Sequence, residues 1–235
     1  LRAGGSVTEP EILYEDNHVL VAVKPPNLLS QADDTGDPDL LSLLRERIRV
    51  RDQKPGNAYL GLVHRLDRPV GGLMVFAKTS KAAARLGAQL QTHELGRRYL
   101  CVTCGPARQA ALELEDWLLK DCARNMVRTV PAGTPGGKKA ILHGELLGEA
   151  EETCLWSIRL ETGRSHQIRV QMAHAGYPLW GDSRYGSGTA GQQVALWGWE
   201  LRFEHPTRHE LMSFRSYPAG SVWNLYTPFL NQQKG

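Results

Sequence analysis

The sequence predicts an α+β fold, and three observations support this class. Its 235 residues contain many short apolar runs of strand length, separated by turn residues among which are 24 Gly and 13 Pro. Helical spacing of apolar residues appears in only three places, so the strict strand–helix alternation of a parallel sheet is missing. No internal repeat or low-complexity tract interrupts the pattern.

The first predicted helix follows a turn-rich loop, with apolar residues at helical spacing from Leu40 to Ile48. Either Thr79 or Ser80 can cap the second helix. Ser165 is expected to cap the third, a short helix that Gly176 closes. Strands are expected in ten runs, at residues 12–14, 18–23, 73–77, 98–104, 111–119, 127–130, 139–147, 154–160, 194–203 and 211–217.

A single domain is expected over residues 11–235. It follows a segment at residues 1–10 that contains Gly, Ser and Pro and is expected to be disordered. The longest apolar run, Val19–Val23, is far shorter than the about 20 residues that a membrane helix needs. No signal peptide opens the sequence. We therefore expect a cytoplasmic, monomeric protein without membrane contact. Because the sequence begins at Leu1, it leaves open whether a further domain precedes it.

The four cysteines do not suggest a disulfide framework for a chain of this length. Cys101 and Cys104 have the spacing of a metal-binding pair, but they lie in a predicted strand. An odd separation in a strand directs two side chains to opposite faces, and no second Cys/His pair completes a zinc site. We interpret them as reduced packing residues and expect no metal.

A carboxylate lies between two arginines in the segment His64-Arg65-Leu66-Asp67-Arg68. Pro69 and the pair Gly71-Gly72 then force a sharp turn before an apolar strand. Turns between rigid elements commonly hold functional residues. The alternative is a surface turn in which Asp67 only neutralises its neighbours.

A second polar segment, Glu161-Thr162-Gly163-Arg164, precedes the third predicted helix. Arg164 lies where the helix dipole already favours an anion, so it can bind a phosphate or form a bidentate pair with a carboxylate. His166 and Arg169 are expected to share one face of the helix. The alternative is an ordinary capped helix start.

The net charge of +3 permits a nucleic-acid partner if the positive charge is local. Candidate clusters include Arg97-Arg98 and Lys138-Lys139, each of which can also be an ordinary solvated surface. Tyr99, next to the first cluster, lies in a predicted strand, where an aromatic residue usually belongs to the core.

These segments resemble the motifs of one family. Residues 61–78, which read GLVHRLDRPVGGLMVFAK, are similar to the signature of the RluA-type pseudouridine synthases, and residues 159–186 are similar to a second family stretch. The turn Lys24-Pro25-Pro26-Asn27 and the run Phe203-Glu204-His205-Pro206 resemble two further motifs. The pieces occur in the family's order, and such a combination is far more specific than any one motif.

The resemblance implies an RNA uridine isomerase without metal or organic cofactor, on a mixed, largely antiparallel central sheet with flanking helices and loops around an RNA-binding cleft. It identifies Asp67 as the essential carboxylate, Tyr99 as the tyrosine that packs on the target base, and Arg164 as the arginine that pairs with Asp67. Arg65 matches the residue that enters the RNA stack when the uridine leaves. The other residues expected to contact substrate are His64, Arg68, Arg97, Arg98, His166 and Arg169.

The sequence departs from the family pattern in three places. The turn after Asp67 has Pro69-Val70-Gly71-Gly72 where Thr-Ser-Gly is commoner, and Ala195–Trp199 replaces a Leu-His-Ala region. The small N-terminal RNA-binding domain of many members is not recognisable, so the RNA target, ribosomal or transfer RNA, stays open.

Two other functional classes remain as alternatives. One is a non-catalytic RNA-binding module on the same fold, although such a module has no need of Asp67. The other is a hydrolase with an aspartate nucleophile, for which the sequence offers no phosphate loop, nucleophile elbow or metal cluster.

Overall fold

A computed structural model describes residues 10–53 and 55–233 and confirms the α+β class. The chain forms two compact units, the first comprising the described residues up to Leu95 with Arg202–Phe214, and the second comprising Gly96–Leu201 with the residues from Arg215 onward. The expectation of one domain over residues 11–235 stays a prediction, and the segment expected to be disordered lies outside the described residues except for Pro10.

The first unit contains strands β1 (Glu11–Glu15), β2 (Val19–Lys24), β3 (Gly61–Leu62) and β4 (Gly71–Ala77), with helices α1 (Leu40–Arg51) and α2 (Ser80–Gln91). The strands pair antiparallel in the order β1-β2-β4, and β3 also pairs with β4. Every residue of β2 and β4 is buried, so both faces of this central pair are covered.

Both helices of the first unit begin where the sequence predicts. Asp39 caps α1, since its side chain accepts a hydrogen bond from the Ser42 N–H at 2.9 Å. Thr79 caps α2 in the same way through the Ala82 N–H, at 3.1 Å. The side-chain oxygens satisfy donors that have no partner inside a helix, which fixes the first turn of each.

The second unit begins with β5 (Gly96–Cys104), β6 (Ala111–Asp121), β7 (Met126–Val130), β8 (Lys138–Ala150) and β9 (Thr153–Leu160). They pair antiparallel in the order β5-β9-β8-β6-β7. Helix α3 (Gln167–His174) follows. The chain crosses between the units within β10 (Leu196–Glu204) and again at the end of β11 (Leu211–Arg215), which pairs with β10.

The C-terminal segment, a 3₁₀-helix at Ser221–Tyr226 followed by α4 (Thr227–Gln232), is not predicted from the sequence. Trp223 and Leu230 from this segment pack into a core cluster of the second unit with Trp199. The unusual run Ala195–Trp199 therefore supplies core residues, since both Ala195 and Trp199 belong to this cluster.

Cys101 is fully buried in β5, and burial raises the pKa of its thiol. Cys104, at the end of the same strand, is half-buried and its thiol pKa is raised for the same reason. Neither forms a disulfide bond in the described structure. Of the helices in residues 10–53 and 55–233, none combines the length and apolar character needed to cross a bilayer.

Candidate active site

The segment that contains Asp67 connects β3 to β4 and is fixed by contacts from outside it. The Ser30 hydroxyl donates to the Leu66 carbonyl at 2.7 Å and accepts from the Leu66 N–H at 3.1 Å. The Val70 N–H donates to the Asp67 carbonyl at 2.9 Å and closes the turn. Gly72 has φ 129°, a conformation that favours glycine. The backbone on both sides of Asp67 is thus held in place.

Lys24, at the end of β2, lies close to this turn and is completely buried. Its ammonium donates to three backbone carbonyls, those of Pro25 at 3.1 Å, Leu28 at 2.6 Å and Arg68 at 3.0 Å. Burial lowers the pKa of Lys24 to about 7, while the Asp67 charge raises it and the Arg68 charge lowers it. A buried cation therefore acts on the half-buried carboxyl group of Asp67.

Sequence reasoning names Lys24 only as part of a motif and misses this role. The available signal was a lysine at the end of the apolar run Val19–Val23, directly before two prolines. A lysine in a strand that is buried on both faces needs polar partners, and a turn that offers its carbonyls supplies them.

The other candidate residues of the first unit differ in exposure. Arg65 and Arg68 are exposed, and the Arg68 guanidinium forms an ion pair with Asp37 at 2.7 Å. Both partners of this pair are nearly half exposed, so it contributes little to stability. His64 is buried, and its Nε2 accepts a hydrogen bond from the Val75 N–H at 3.2 Å, which ties the segment to β4.

Tyr99 belongs to the second unit, where it is buried in β5 opposite Ile158 of β9. Arg98 is exposed and lies 3.8 Å from the buried carboxylate of Glu200. The guanidinium of Arg97 lies over Gly163, where an added Cβ atom would come within 3.4 Å of it. Arg97 is thus brought next to the segment that contains Arg164.

The predicted start of α3 is wrong. Ser165 does not cap the helix; His166 precedes the first helical residue in a left-handed conformation, φ 52°, without a side-chain cap. Instead, the Gln167 side chain accepts from the Arg164 N–H at 2.9 Å and from the Thr162 hydroxyl at 2.8 Å. A residue inside the helix thereby fixes the loop before it.

Arg164 is exposed, and its Nε donates to the carbonyl of Lys139 at 2.9 Å. This bond and the backbone bond to Gln167 hold both ends of the residue. Its side chain therefore has a defined direction although it lies at the surface.

His166 and Arg169 do not form an exposed basic face. Arg169 is buried in a bidentate pair with Asp182, both N–O distances being 2.7 Å, and it lies over the Tyr185 ring. Burial alone would raise the pKa of Asp182, but Arg169 and the N–H groups of Arg184 and Tyr185 keep it below its ordinary value. We therefore do not propose Arg169 as a phosphate contact.

His166 is buried beside the same ring, with its Nδ1 at 2.6 Å from the Tyr185 hydroxyl. That hydroxyl also accepts from the Val127 N–H at 3.0 Å. Hydrogen bonds and ring contacts thus join the two halves of the second family stretch.

Of the three expected catalytic residues, Asp67 belongs to the first unit, and Tyr99 and Arg164 belong to the second. The first unit brings Asp67 together with Lys24, and the second brings Arg97 next to Gly163, the residue before Arg164.

Comparisons with known proteins identify the family. Residues 18–174 match the family model of the RNA pseudouridylate synthases. An uncharacterised RNA pseudouridine synthase of Bacillus subtilis is 33% identical over 208 residues, covering 87% of this chain and 67% of the relative. A protein of Vibrio vulnificus described as ribosomal large subunit pseudouridine synthase D is 36% identical over 225 residues, covering 88% and 66%. This chain therefore spans about two thirds of the length of these relatives.

Solved structures agree on the fold. Human RNA pseudouridylate synthase domain containing 4 aligns with a TM-score of 0.74 at 18% identity, over 89% of this chain and 88% of that one. Human RNA pseudouridylate synthase domain containing 1 gives 0.72 at 20% identity, over 95% and 89%. Together with the motifs and the fixed Asp67 turn, these findings show that the chain belongs to the RNA pseudouridylate synthase family and is an RNA uridine isomerase.

Proposed function

We propose that Asp67 is the catalytic carboxylate of this enzyme, that Tyr99 and Arg164 complete its active site, and that its substrate is a uridine of structured RNA in the cytoplasm. The observation that carries this proposal is the environment of Asp67. Its carboxyl group is half-buried on a turn with a fixed backbone, and a completely buried lysine acts on it electrostatically.

The reaction breaks the N1–C1′ bond of uridine and forms a C5–C1′ bond. The base rotates in between, C5 loses its proton and N1 gains one, so substrate and product contain the same atoms. An ionised carboxylate can attack covalently or stabilise the charge that develops when the first bond breaks. The contribution that we assign to Lys24 is an electrostatic interaction with this carboxylate from its buried position behind the turn.

We assign to Arg164 the orientation of the Asp67 carboxylate. Guanidinium is planar and can donate two parallel hydrogen bonds to one carboxylate. Since the Nε atom of Arg164 is bonded to the Lys139 carbonyl, the terminal nitrogens are the donors in this proposal. Tyr99, buried in β5, offers an aromatic ring on which the detached base can stack.

Ribosomal RNA is the target that we favour over transfer RNA, because the relatives described above include one named for the large ribosomal subunit. A base inside a duplex is inaccessible, and flipping it out costs a few kcal/mol, least in loops and bulges. We therefore expect the target uridine in a loop of folded RNA.

Tritium release from RNA that contains C5-tritiated uridine tests the activity and its target. The purified protein is incubated separately with large-subunit ribosomal RNA and with transfer RNA, and Asp67→Asn serves as the inactive control. We expect release from ribosomal RNA only. RNA binding without release would favour the non-catalytic module, and release from transfer RNA alone would contradict the proposed target.

A further inference from the structure

The second unit contains a cavity of about 370 Å³, and of its lining residues the assignments above use only Arg164. Its apolar wall includes Leu118 and Val127, which are 3% and 4% exposed and belong to one core cluster. Ligand sites commonly begin at about 300 Å³, so this cavity has room for one small group, such as a single nucleotide.

Three cationic side chains line the cavity: Lys120, Lys138 and Arg164. Among the described residues that line it, none is Asp or Glu. In the described part of the chain, no carboxylate forms an ion pair with the ammonium of Lys120 or Lys138. The cavity is thus a concentration of positive charge on a protein whose net charge is only +3.

Strand register explains why these groups converge. Leu118 lies directly opposite Lys138 of β8, and Lys120 lies directly opposite Val127 of β7. Positions 118 and 120 of β6 point to the same face, as do residues directly opposite one another in antiparallel strands. Two apolar and two cationic side chains therefore share one face of the β8-β6-β7 sheet.

The geometry points to this cavity as a binding site for one nucleotide of the substrate RNA. Its phosphate would lie between Lys120 and Lys138, and its base would pack against Leu118 and Val127. Charge complementarity selects an anion, and the apolar wall selects a ligand that also has an uncharged face. The inference rests on the proposed function, since it assumes an RNA substrate bound near Arg164.

The opposite face of the same sheet supplies a matched control. Lys139 is adjacent to Lys138 but lies opposite Trp117 and pairs with Glu115 at 2.9 Å. Arg128 lies opposite Leu119, on the face that Lys120 does not share. The double variants Lys120→Gln/Lys138→Gln and Arg128→Gln/Lys139→Gln lose the same charge from opposite faces. The Lys139 carbonyl that binds Arg164 is unchanged in both.

Binding of a labelled RNA stem-loop, measured against salt, compares the variants. The cavity variant should bind more weakly, with a log–log salt slope that is shallower by about 0.7 for each phosphate that it no longer binds. The control variant should keep the wild-type slope. Equal changes in both variants would mean that only the overall charge matters and would overturn the proposal.

Cys122 provides an independent probe, since it lines the cavity and is exposed. Its alkylation by N-ethylmaleimide is followed by mass spectrometry, alone and with stem-loop RNA, uridine 5′-monophosphate or inorganic phosphate. RNA and the nucleotide should protect Cys122 in the wild type but not in the cavity variant. Equal protection by inorganic phosphate would reduce the cavity to a simple anion site, and protection that survives in the cavity variant would place the RNA elsewhere.

The same comparison separates this inference from the proposed function. If Asp67 is not catalytic, Asp67→Asn retains tritium release while RNA still protects Cys122. If the cavity does not bind RNA, Cys122 stays reactive while the wild-type enzyme still releases tritium.

Discussion

In the turn between β3 and β4 the charged side chains are at least partly exposed, and hydrogen bonds with Ser30 hold the backbone. In residues 161–186, by contrast, several polar side chains are themselves buried, among them those of His166, Gln167, Arg169 and Asp182. Asp67 is half-buried beside exposed Arg65, while Arg169 and Asp182 are 6% and 1% exposed. Both segments resemble family motifs in sequence. In these two segments the exposed side chains are accessible to a ligand, whereas the buried side chains contact other parts of the protein.

The two aspartates give the largest expected contrast. Asp67→Asn keeps the shape of the side chain and removes its charge, so multiple-turnover tritium release should fall by more than about 1000-fold, equivalent to about 4 kcal/mol. The thermal midpoint and RNA affinity should stay close to wild type. Measurable multiple turnover in this variant would remove Asp67 from the chemistry.

Asp182→Asn should have the converse effect. It leaves the Arg169 guanidinium buried without a carboxylate, and breaking a buried pair in this way costs about 3–5 kcal/mol of stability. Urea unfolding measures the loss, and the double variant Arg169→Met/Asp182→Asn should recover part of it. An unchanged urea midpoint for Asp182→Asn would show that the pair is not structural.

Arg164→Lys tests an exposed residue of the second family stretch. Lysine keeps the charge but cannot donate a planar fork, so single-turnover activity should fall by about 10- to 100-fold. Arg159→Lys, an exposed substitution in β9, should have little effect. Near-wild-type turnover of Arg164→Lys would contradict the assigned orientation of the carboxylate.

Lys24 should make the stability of the fold depend on pH. Burial lowers the folded-state pKa to about 7, below the unfolded value near 10.5, so between these values the unfolded chain binds more protons. Lys24 thus destabilises the fold below pH 7, and the free energy of unfolding should rise with pH by at most about 1.4 kcal/mol per unit above it. Lys24→Met should lack this rise.

Urea unfolding between pH 7 and pH 9.5 compares the two proteins. If the three carbonyls around the ammonium hold its proton against burial, both proteins will show the same pH dependence. That result would mean that Lys24 stays charged throughout the range.

Local patterns predicted the elements that local interactions determine. Helix α1 begins with its predicted apolar pattern at Leu40, and α2 begins directly after its predicted cap Thr79, because the caps Asp39 and Thr79 both act within three residues. Most strands agree with the predicted runs, since their apolar residues reflect burial. The C-terminal helical segment was missed because it is short. Its apolar side chains are stabilised by packing on core residues that are far away in the sequence.

The polar contacts around the site could not be predicted in the same way. The start of α3 depends on Gln167. Its side chain bonds the loop before the helix and also donates to the carbonyl of Ile141, 26 residues earlier in the chain. Arg169 was expected to contact substrate, but it is buried in a pair with Asp182, 13 residues further along the chain. The proposed catalytic role of Asp67 came from the family resemblance. The buried Lys24 that interacts with it became evident only from the fold.

The two-way hydrogen bond between Ser30 and Leu66 joins positions 36 residues apart. Leu66 lies outside every strand, yet its amide hydrogen cannot exchange with solvent deuterium until the Ser30 contact breaks. The turn beside the carboxylate therefore cannot open without breaking its hydrogen bonds to the loop that contains Ser30. Under our proposal that Asp67 is the catalytic carboxylate, the RNA must therefore bring the uridine to a turn that is already held in place.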